Sequence, residues 1–212
     1  MKYKAIIFDL DGVICHTDQY HYEAWKKITQ QLGIEFDEKM NNRLRGISRM
    51  ESLDVILENY DFVLSETEKM VYANEKNEIY KALMMNLTED DLSEEVRDTL
   101  DHLRHLGYKL AIGSSSKNSR LILERLGLKD YFDAISDGNN ITDSKPSPEV
   151  FIKAALYLQT PQEDCLVVED AVAGLEAAKA AQMDCAAIGD AVNSKLANYN
   201  LVHFKDLINI CD

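Results

Sequence analysis

Two aspartates separated by one residue follow a short apolar run near the start of the chain. The run is Ala5-Ile6-Ile7-Phe8, and the acids are Asp9 and Asp11, with Gly12 next. In an extended segment this spacing points both carboxylates to one side, while Leu10 points back into the protein. Two acids that face one space repel each other, and a divalent cation is the usual way to keep both ionised. The segment therefore predicts a cation site, with Mg²⁺ as the expected ion.

A serine-rich segment follows a second apolar run, Leu110-Ala111-Ile112-Gly113. It reads Ser114-Ser115-Ser116-Lys117-Asn118 and leads into a helical pattern. Hydroxyls, free backbone N–H groups and the positive end of a helix dipole then meet at one point, which favours phosphate binding. Taken alone, the segment also fits an ordinary serine-rich helix cap.

Two further segments carry charged residues in comparable positions. Lys145 precedes Pro146, which holds the lysine on an extended, rigid backbone beside a helix start. A lysine placed in this way is a suitable point charge for a phosphoryl group in transfer. The apolar run 165–168 ends in Glu169 and Asp170, which add two carboxylates to the oxygen ligands that a hard cation prefers. Each segment alone also fits a surface loop or a helix start, but all of them together favour one shared site.

The elements that must position these groups alternate along most of the chain. Strand-like runs, separated by helical patterns, are predicted at 5–8, 109–113, 132–136, 165–169, 185–188 and 201–203. This alternation predicts an α/β fold with a doubly wound, Rossmann-like parallel sheet and helices on both faces. Ligands of such sheets bind beyond the carboxyl ends of the strands, where the four segments fall.

A block of helices interrupts the alternation between the first two strands. Capping boxes begin two of its helices, one running from Ser48 to Glu51 and one from Ser65 to Glu68. We therefore predict a catalytic core formed by residues 1–14 and 94–212, with a helical cap domain inserted at 15–93.

Composition narrows the classes of partner. Lysine and arginine number 23 against 37 aspartates and glutamates, and the net charge of −14 disfavours nucleic acids and anionic membranes as partners. The four cysteines lack metal-site and redox spacings, which predicts reduced packing residues and a cytoplasmic protein. The N-terminus shows no cleavage-site pattern, and no apolar run is long enough to span a bilayer. We expect a monomer that acts on a small molecule.

The four segments together resemble the four motifs of the haloacid-dehalogenase superfamily of phosphatases and phosphomutases. In chain order they are Asp9-Leu10-Asp11-Gly12, Ser114, Lys145-Pro146 and Glu169-Asp170. The helical block also stands where that superfamily inserts its cap. The resemblance implies the superfamily's fold for the core, with the site at the carboxyl ends of the strands.

Within the superfamily, the chain is most similar to the β-phosphoglucomutases. The similarity rests on His21 with Trp25, the cap loop Arg45-Gly46-Ile47-Ser48-Arg49 followed by Glu51-Ser52-Leu53, the segment 114–118 with Lys117, and Ser144-Lys145-Pro146. Those enzymes typically have lysine where Arg45 stands and an acid where His16 stands. The first difference keeps the charge but changes its geometry.

The resemblance implies a role for each group of the core. Asp9 would be the nucleophile that takes the phosphoryl group, and Asp11 would be the general acid and base for the sugar hydroxyl. Ser114 and Lys145 would hold the oxygens of the transferring group. Mg²⁺ would be bound by Asp9, the backbone carbonyl of Asp11, and Asp170, with Glu169 close enough to contribute.

The resemblance also implies a set of substrate-binding residues. Arg49 would hold the phosphate that is not reacting, because a guanidinium can grip phosphate at two points. His21 would couple cap closure to Asp11, although a helix histidine with a structural hydrogen bond is the alternative. Arg49 would be helped in the core by Ser116, Lys117 and Asn118, and the remaining cap residues of the set are Trp25, Arg45, Gly46 and Ser48.

The implied reaction is the interconversion of β-D-glucose 1-phosphate and glucose 6-phosphate through a phospho-aspartate enzyme and a sugar bisphosphate. The alternative is a magnesium-dependent sugar-phosphate phosphatase of the same superfamily, in which water attacks the aspartyl phosphate. A silent binding domain has no physical need for all of Asp9, Asp11, Ser114, Lys145 and Asp170. The expected partner is a small phosphorylated sugar, either glucose or a close relative.

Overall fold

A computed structural model describes residues 2–58, 60–61 and 63–211 of the chain. The strands of this part are β1 (Ala5–Phe8), β2 (Lys109–Gly113), β3 (Ala134–Ser136), β4 (Cys165–Glu169), β5 (Asp184–Ala187) and β6 (Tyr199–Asn200). They form one sheet in the order β3-β2-β1-β4-β5-β6, and every pair of neighbours is parallel. The predicted α/β, doubly wound fold class is confirmed.

The helices are α1 (Asp18–Leu32), α2 (Glu38–Asn42), α3 (Arg49–Leu57), α4 (Glu66–Met84), α5 (Glu94–His105), α6 (Ser119–Arg125), α7 (Glu149–Tyr157), α8 (Val172–Ala180) and α9 (Leu207–Cys211). Both predicted capping boxes are present, at the starts of α3 and α4. No helix within the described ranges is both long and apolar enough to cross a membrane.

The alternation of side chains along β1 explains why helices cover both faces of the sheet. Ile6 and Phe8 lie in a buried cluster with residues of α5, α6 and α9, whereas Ile7 lies in a second cluster with residues of α7 and α8. Successive strand residues point to opposite faces, so an uninterrupted apolar run such as Ala5–Phe8 needs a helical layer on each side. The core of the protein is therefore two apolar layers that sandwich the sheet.

Helices α1 to α4 lie between β1 and β2 in the sequence and have an apolar cluster of their own. That cluster includes Trp25 and Ile28 of α1, Leu53 and Ile56 of α3, and Ala73 of α4. The inner ends of α1 and α4 also contribute residues to the cluster that contains Phe8. The helical block thus has its own apolar core and also packs against the apolar layer that contains Phe8.

The register of the sheet brings the carboxyl ends of its central strands to one level. Phe8 of β1 lies beside Ile112 of β2 and Val168 of β4. The residues that follow these three positions therefore emerge side by side. In this way, strand ends that are far apart in the sequence contribute to one site.

Three strands differ in their bounds from the sequence prediction. The strand expected at 185–188 is Asp184–Ala187, because its pairing with β4 begins where Asp184 lies beside Leu166. The last strand was expected at 201–203, but it is Tyr199–Asn200, because Asp206 accepts the N–H groups of Val202 and His203 and turns the chain there. The strand expected at 132–136 begins only at Ala134. The Asp133 side chain accepts the N–H of Leu110, so the strand pairing starts one residue later.

Candidate active site

A cavity of about 550 Å³ lies beyond the carboxyl ends of the strands, under the helical block. Its volume is within the range of roughly 300–1,000 Å³ that is common for small-molecule sites. The predicted residues that line it are Asp9, Asp11, His21, Trp25, Arg45, Gly46, Ser48, Arg49, Ser114, Ser116, Lys117, Asn118 and Asp170. The two remaining predicted residues are Lys145 and Glu169. Lys145 contacts both Asp9 and Glu169.

Lys145 joins two acids beneath the cavity floor. Its ammonium group lies 2.5 Å from Oδ1 of Asp9 and also contacts Oε1 of Glu169. Burial disfavours the charged form of Lys145, but the two carboxylates outweigh burial and hold its pKa above the usual value. One oxygen of Asp9 is therefore paired with a buried cation.

Three buried carboxylates could hold a metal ion. Oxygen atoms of Asp9, Glu169 and Asp170 all lie within 4.8 Å of one another. Burial raises the pKa of Asp170 to about 9, and repulsion from Glu169 and Asp9 adds to the effect. Burial likewise raises the pKa of Glu169 to about 7 against the opposing effect of Lys145. An all-oxygen set whose members repel each other fits a hard divalent cation.

Local backbone geometry allows these acids to approach so closely. Gly12 has φ +95°, and a Cβ atom there would lie 2.1 Å from Oδ2 of Asp170. A Cβ atom at Gly174 would lie 1.9 Å from the carboxylate of Glu169. The second oxygen of Glu169 accepts the N–H groups of Asp170 and Ala171, which fixes the turn after β4. Both glycines are therefore required by close approach to a carboxylate.

Asp11 lies on the cavity side of the same turn, outside the group of three carboxylates. The hydroxyl of Thr17 donates a hydrogen bond to Oδ1 of Asp11. Burial and the nearby charge of Asp9 raise the pKa of Asp11 to about 7, and the Thr17 bond acts in the opposite direction. A carboxyl group with that pKa can exchange a proton near neutral pH. Thr17 stands at the N-cap position of α1, but its side chain bonds Asp11 and caps no backbone N–H of the helix.

The serine-rich segment after β2 forms a compact turn at the edge of the cavity. The N–H of Ser116 donates to Oγ of Ser114, and the N–H of Asn118 donates to Oγ of Ser116, each at 3.1 Å. The side-chain amide of Asn118 reaches across to Oδ1 of Asn77 in α4 at 2.9 Å. The segment thus lines the same cavity as Asp9, and Asn118 links it to the helical block.

Lys76 of α4 is a functional candidate that the sequence did not reveal. Its ammonium group lies 2.7 Å from Nδ1 of His21 and over the rings of Trp25 and Tyr80. Burial, and then the charge of Arg49, lower the pKa of Lys76 to about 7, and burial also holds the pKa of His21 well below its usual value. A neutral His21 can accept the lysine's hydrogen bond. The signal was the spacing of Ala73, Lys76 and Tyr80 on the buried face of α4.

Arg49 and Arg45 have different surroundings. Arg49 is half-buried, donates to the carbonyl of Ala73 at 3.2 Å, and has its pKa lowered by burial. Arg45 contacts Asp18 and lies 2.9 Å from Asp190 and 4.0 Å from Asp170. Its substrate-binding role stays a prediction, because carboxylates of three segments already surround its guanidinium.

Two other predicted cap residues have local tasks in this structure. The hydroxyl of Ser48 accepts the N–H of Glu51 as the cap of α3, and Trp25 is a buried member of the cluster of the helical block. Both also line the cavity. Their contact with a substrate stays a prediction.

Comparison with known proteins gives consistent matches. A model of the haloacid dehalogenase-like hydrolase family matches residues 3–182. β-Phosphoglucomutase of Bacillus subtilis strain 168 is 42% identical over 188 residues, covering 88% of this chain and 83% of that protein. The phosphorylated carbohydrates phosphatase of Thermotoga maritima is 29% identical over 185 residues, covering 85% of this chain and 82% of that protein. The crystal structure of β-phosphoglucomutase from Clostridium difficile superimposes with a TM-score of 0.92 at 39% identity, covering 99% of this chain and 96% of that one.

Proposed function

The chain belongs to the haloacid dehalogenase-like hydrolase family, and we propose that it is a β-phosphoglucomutase. It interconverts β-D-glucose 1-phosphate and glucose 6-phosphate through a phospho-aspartate at Asp9 and a sugar bisphosphate. The observation that carries this proposal is Arg49. It adds a half-buried guanidinium to the cavity that contains Asp9 and Asp11, and among the described residues it forms no salt bridge. Such a group is suited to a second phosphate, because a guanidinium can bind phosphate at two points.

The residues around Asp9 fit the first transfer. The ammonium group of Lys145 pairs with Oδ1 of Asp9, so Oδ2 is the oxygen that attacks phosphorus. As the bond from phosphorus to the sugar oxygen breaks, Asp11 gives its proton to that oxygen. Ser114 and Lys145 stabilise charge on the phosphoryl oxygens with fixed donors. The sugar that gives this phosphoryl group is the bisphosphate, which leaves as glucose 6-phosphate. In the second transfer, Asp11 takes the proton of the free 6-hydroxyl of β-glucose 1-phosphate, and that oxygen attacks the phosphorus held by Asp9, which frees the Asp9 carboxylate and forms the bisphosphate again.

The carboxylate set fits Mg²⁺ as the resident ion. Asp9, Asp170 and the backbone carbonyl of Asp11 would hold it, with Glu169 beside them. When bound, the ion neutralises charge that develops on the transferring group. The support for a divalent ion is the close approach of three buried carboxylates and the raised pKa values of Glu169 and Asp170.

A mutase must also bind the phosphate that is not reacting and exclude water. Arg49, together with Ser116, Lys117 and Asn118, is our proposal for that phosphate, and His21 with Lys76 would contact the sugar region. We assign 1–14 and 94–212 to the catalytic core and 15–93 to the cap. The separate apolar cluster of the helical block and the cavity beneath it support this division.

The setting of the enzyme is also part of the proposal. We infer a cytoplasmic monomer that acts on a small phosphorylated sugar, without nucleic-acid or membrane partners. The four cysteines are buried, and Cys15, Cys165 and Cys185 form no disulfide, which suits a reducing compartment. The net charge of −14 disfavours polyanionic partners.

A coupled assay tests the proposed reaction. Purified protein receives β-glucose 1-phosphate, a trace of the bisphosphate and Mg²⁺, and glucose 6-phosphate is measured with its dehydrogenase while inorganic phosphate is measured in parallel. We expect glucose 6-phosphate to form much faster than inorganic phosphate, and Asp9→Asn to abolish both. Release of inorganic phosphate without glucose 6-phosphate would contradict the mutase assignment and favour a sugar-phosphate phosphatase.

A further inference from the structure

The loop that carries Lys145 is irregular and needs support from side chains. It joins β3 to α7, and its residues Ile141, Thr142 and Ser144 line the cavity wall. Backbone N–H groups outside helices and strands must find other acceptors or water. The position of Lys145 therefore depends on what holds this loop.

The side chain of Glu149, in the first turn of α7, holds the loop through hydrogen bonds from the loop's backbone. Oε2 of Glu149 accepts the N–H groups of Thr142 and Asp143, both at 2.8 Å. These hydrogen bonds, led by that from Asp143, lower the pKa of Glu149 to about 2, so its carboxylate is charged at every relevant pH. The last of the two anchored residues is separated from Lys145 only by Ser144.

Lys153, one turn later in α7, completes the support. Its ammonium group lies 2.6 Å from Oε1 of Glu149 and also donates to the carbonyl of Asn140. The two side chains therefore fix Asn140, Thr142 and Asp143. We call Glu149 and Lys153 the α7 clasp.

Helix α7 is a rigid base for this clasp. Val150, Phe151, Ala154 and Ala155 are buried in the layer under the sheet. The ring of Phe151 also lies beneath Lys145, with Nζ 4.8 Å from the ring centre. A displacement of the loop relative to α7 would thus displace Lys145 relative to Asp9.

The ion pair between Lys145 and Asp9 is not a sufficient anchor during turnover. Asp9 changes charge and shape when it takes up a phosphoryl group, whereas the clasp touches no reacting atom. The direct backbone bond of Lys145, from its N–H to Oγ of Ser115, is long at 3.4 Å. Glu169 and Phe151 contact the side chain of Lys145, whereas the clasp holds the backbone of the loop and stays constant through the reaction.

We propose that Glu149 and Lys153 are positioning residues, which keep Lys145 at phosphoryl-transfer distance from Asp9 by fixing the backbone of residues 140–143. This inference rests on the role of Lys145 in the proposed function. A misplacement of about 1 Å at a reacting centre can cost on the order of 100-fold in rate. The clasp therefore governs kcat more than substrate affinity.

Variants of Glu149 test the proposal. Glu149→Ala removes the acceptor, Glu149→Asp withdraws it by one methylene, and Glu149→Gln keeps an oxygen that can accept both N–H groups. With Mg²⁺ present, we expect the first two to lower kcat about 10- to 100-fold with KM changed less than about threefold. Glu149→Gln should retain most of the activity. Glu94→Ala, at an exposed first-turn glutamate of α5, is the matched control and should have no effect.

Amide hydrogen exchange of the same proteins gives a second measurement. Exchange at Thr142 and Asp143 should accelerate in the alanine and aspartate variants and stay slow in Glu149→Gln. Should Glu149→Ala fail to fold, Glu149→Asp and Lys153→Met carry the test with smaller changes in the same direction. Faster exchange with unchanged kcat would overturn the proposal and leave the clasp a merely stabilising contact. Unchanged exchange would show that the clasp does not hold the loop.

The proposal and the proposed function fail in different ways. If the wild-type protein released only inorganic phosphate, the mutase assignment would fall, yet the variants would still have to lower the kcat of that phosphatase reaction. If the mutase reaction were confirmed and the Glu149 variants had wild-type kcat, only the positioning role would fall.

Discussion

The ammonium group of Lys145 lies 2.5 Å from Oδ1 of Asp9, and both side chains are buried, at 0% and 9% exposure. Lys145 also contacts Glu169, so one buried cation serves two buried acids. The pairing offsets part of the cost of burying these acids beside the site of transfer. Removal of one partner from a buried ion pair leaves an uncompensated charge, which costs much more than an exposed pair is worth.

Lys145→Met should therefore remove activity and also destabilise the fold. We expect the free energy of unfolding at neutral pH to fall by about 3–5 kcal/mol, measured by urea denaturation. Mg²⁺ should recover part of this loss, because it binds the carboxylates that the lysine leaves behind. Lys129→Met, which removes an exposed pair with Glu124, should change stability by less than about 1 kcal/mol. Equal effects of the two substitutions would contradict the pairing.

Asp11→Asn should separate proton transfer from binding. Asparagine keeps the shape of Asp11 and the contact with Thr17 but cannot act as a general acid or base near neutral pH, so we expect turnover to fall about 10²- to 10⁴-fold. Affinity for the sugar phosphate, measured by titration calorimetry, should change little. A variant that no longer binds the sugar phosphate would make Asp11 a structural residue.

Arg49→Ala should weaken binding of the bisphosphate. A charged hydrogen bond to phosphate is worth about 1.5–3 kcal/mol, so the affinity should fall roughly 10- to 150-fold. Arg43→Ala is the matched control, because Arg43 lies in the same helical block and its side chain forms an exposed pair with Glu58. Direct binding measurements on both variants are the check. Equal affinities would remove Arg49 from the site of the second phosphate.

The sequence predicted those parts of the site that depend on local patterns. Asp9, Ser114 and Glu169 each follow a short apolar run, and parallel strands carry their ends to one edge. The register of Phe8 with Ile112 and Val168 then makes the three positions neighbours. No long-range information was needed beyond the alternation of strands and helices.

The parts that the sequence did not predict depend on contacts between distant segments. Lys76 resembled any helix lysine until His21, 55 positions away, was found beside it. Arg45 contacts acids from three segments that lie far apart in the sequence, Asp18, Asp170 and Asp190. A first-turn acid such as Glu149 carries no special sequence signal, because the path of the preceding loop supplies its two N–H donors.

Lys76→Met should raise stability while it lowers activity. Lys76 is 3% exposed, and its pKa of about 7 lies below the value of 10.5 expected for the unfolded chain. Between these two pH values the unfolded state binds more protons, so the stability of the wild-type protein rises with pH across that interval. Lys76→Met removes the group, and we expect it to stabilise the fold by on the order of 1–3 kcal/mol at pH 6.5, with a gain that shrinks toward pH 10. Urea denaturation at several pH values is the measurement, and Lys81→Met, on the exposed side of the same helix, is the control.

Destabilisation by Lys76→Met at every pH would mean that the ammonium group has a compensating partner in the folded state.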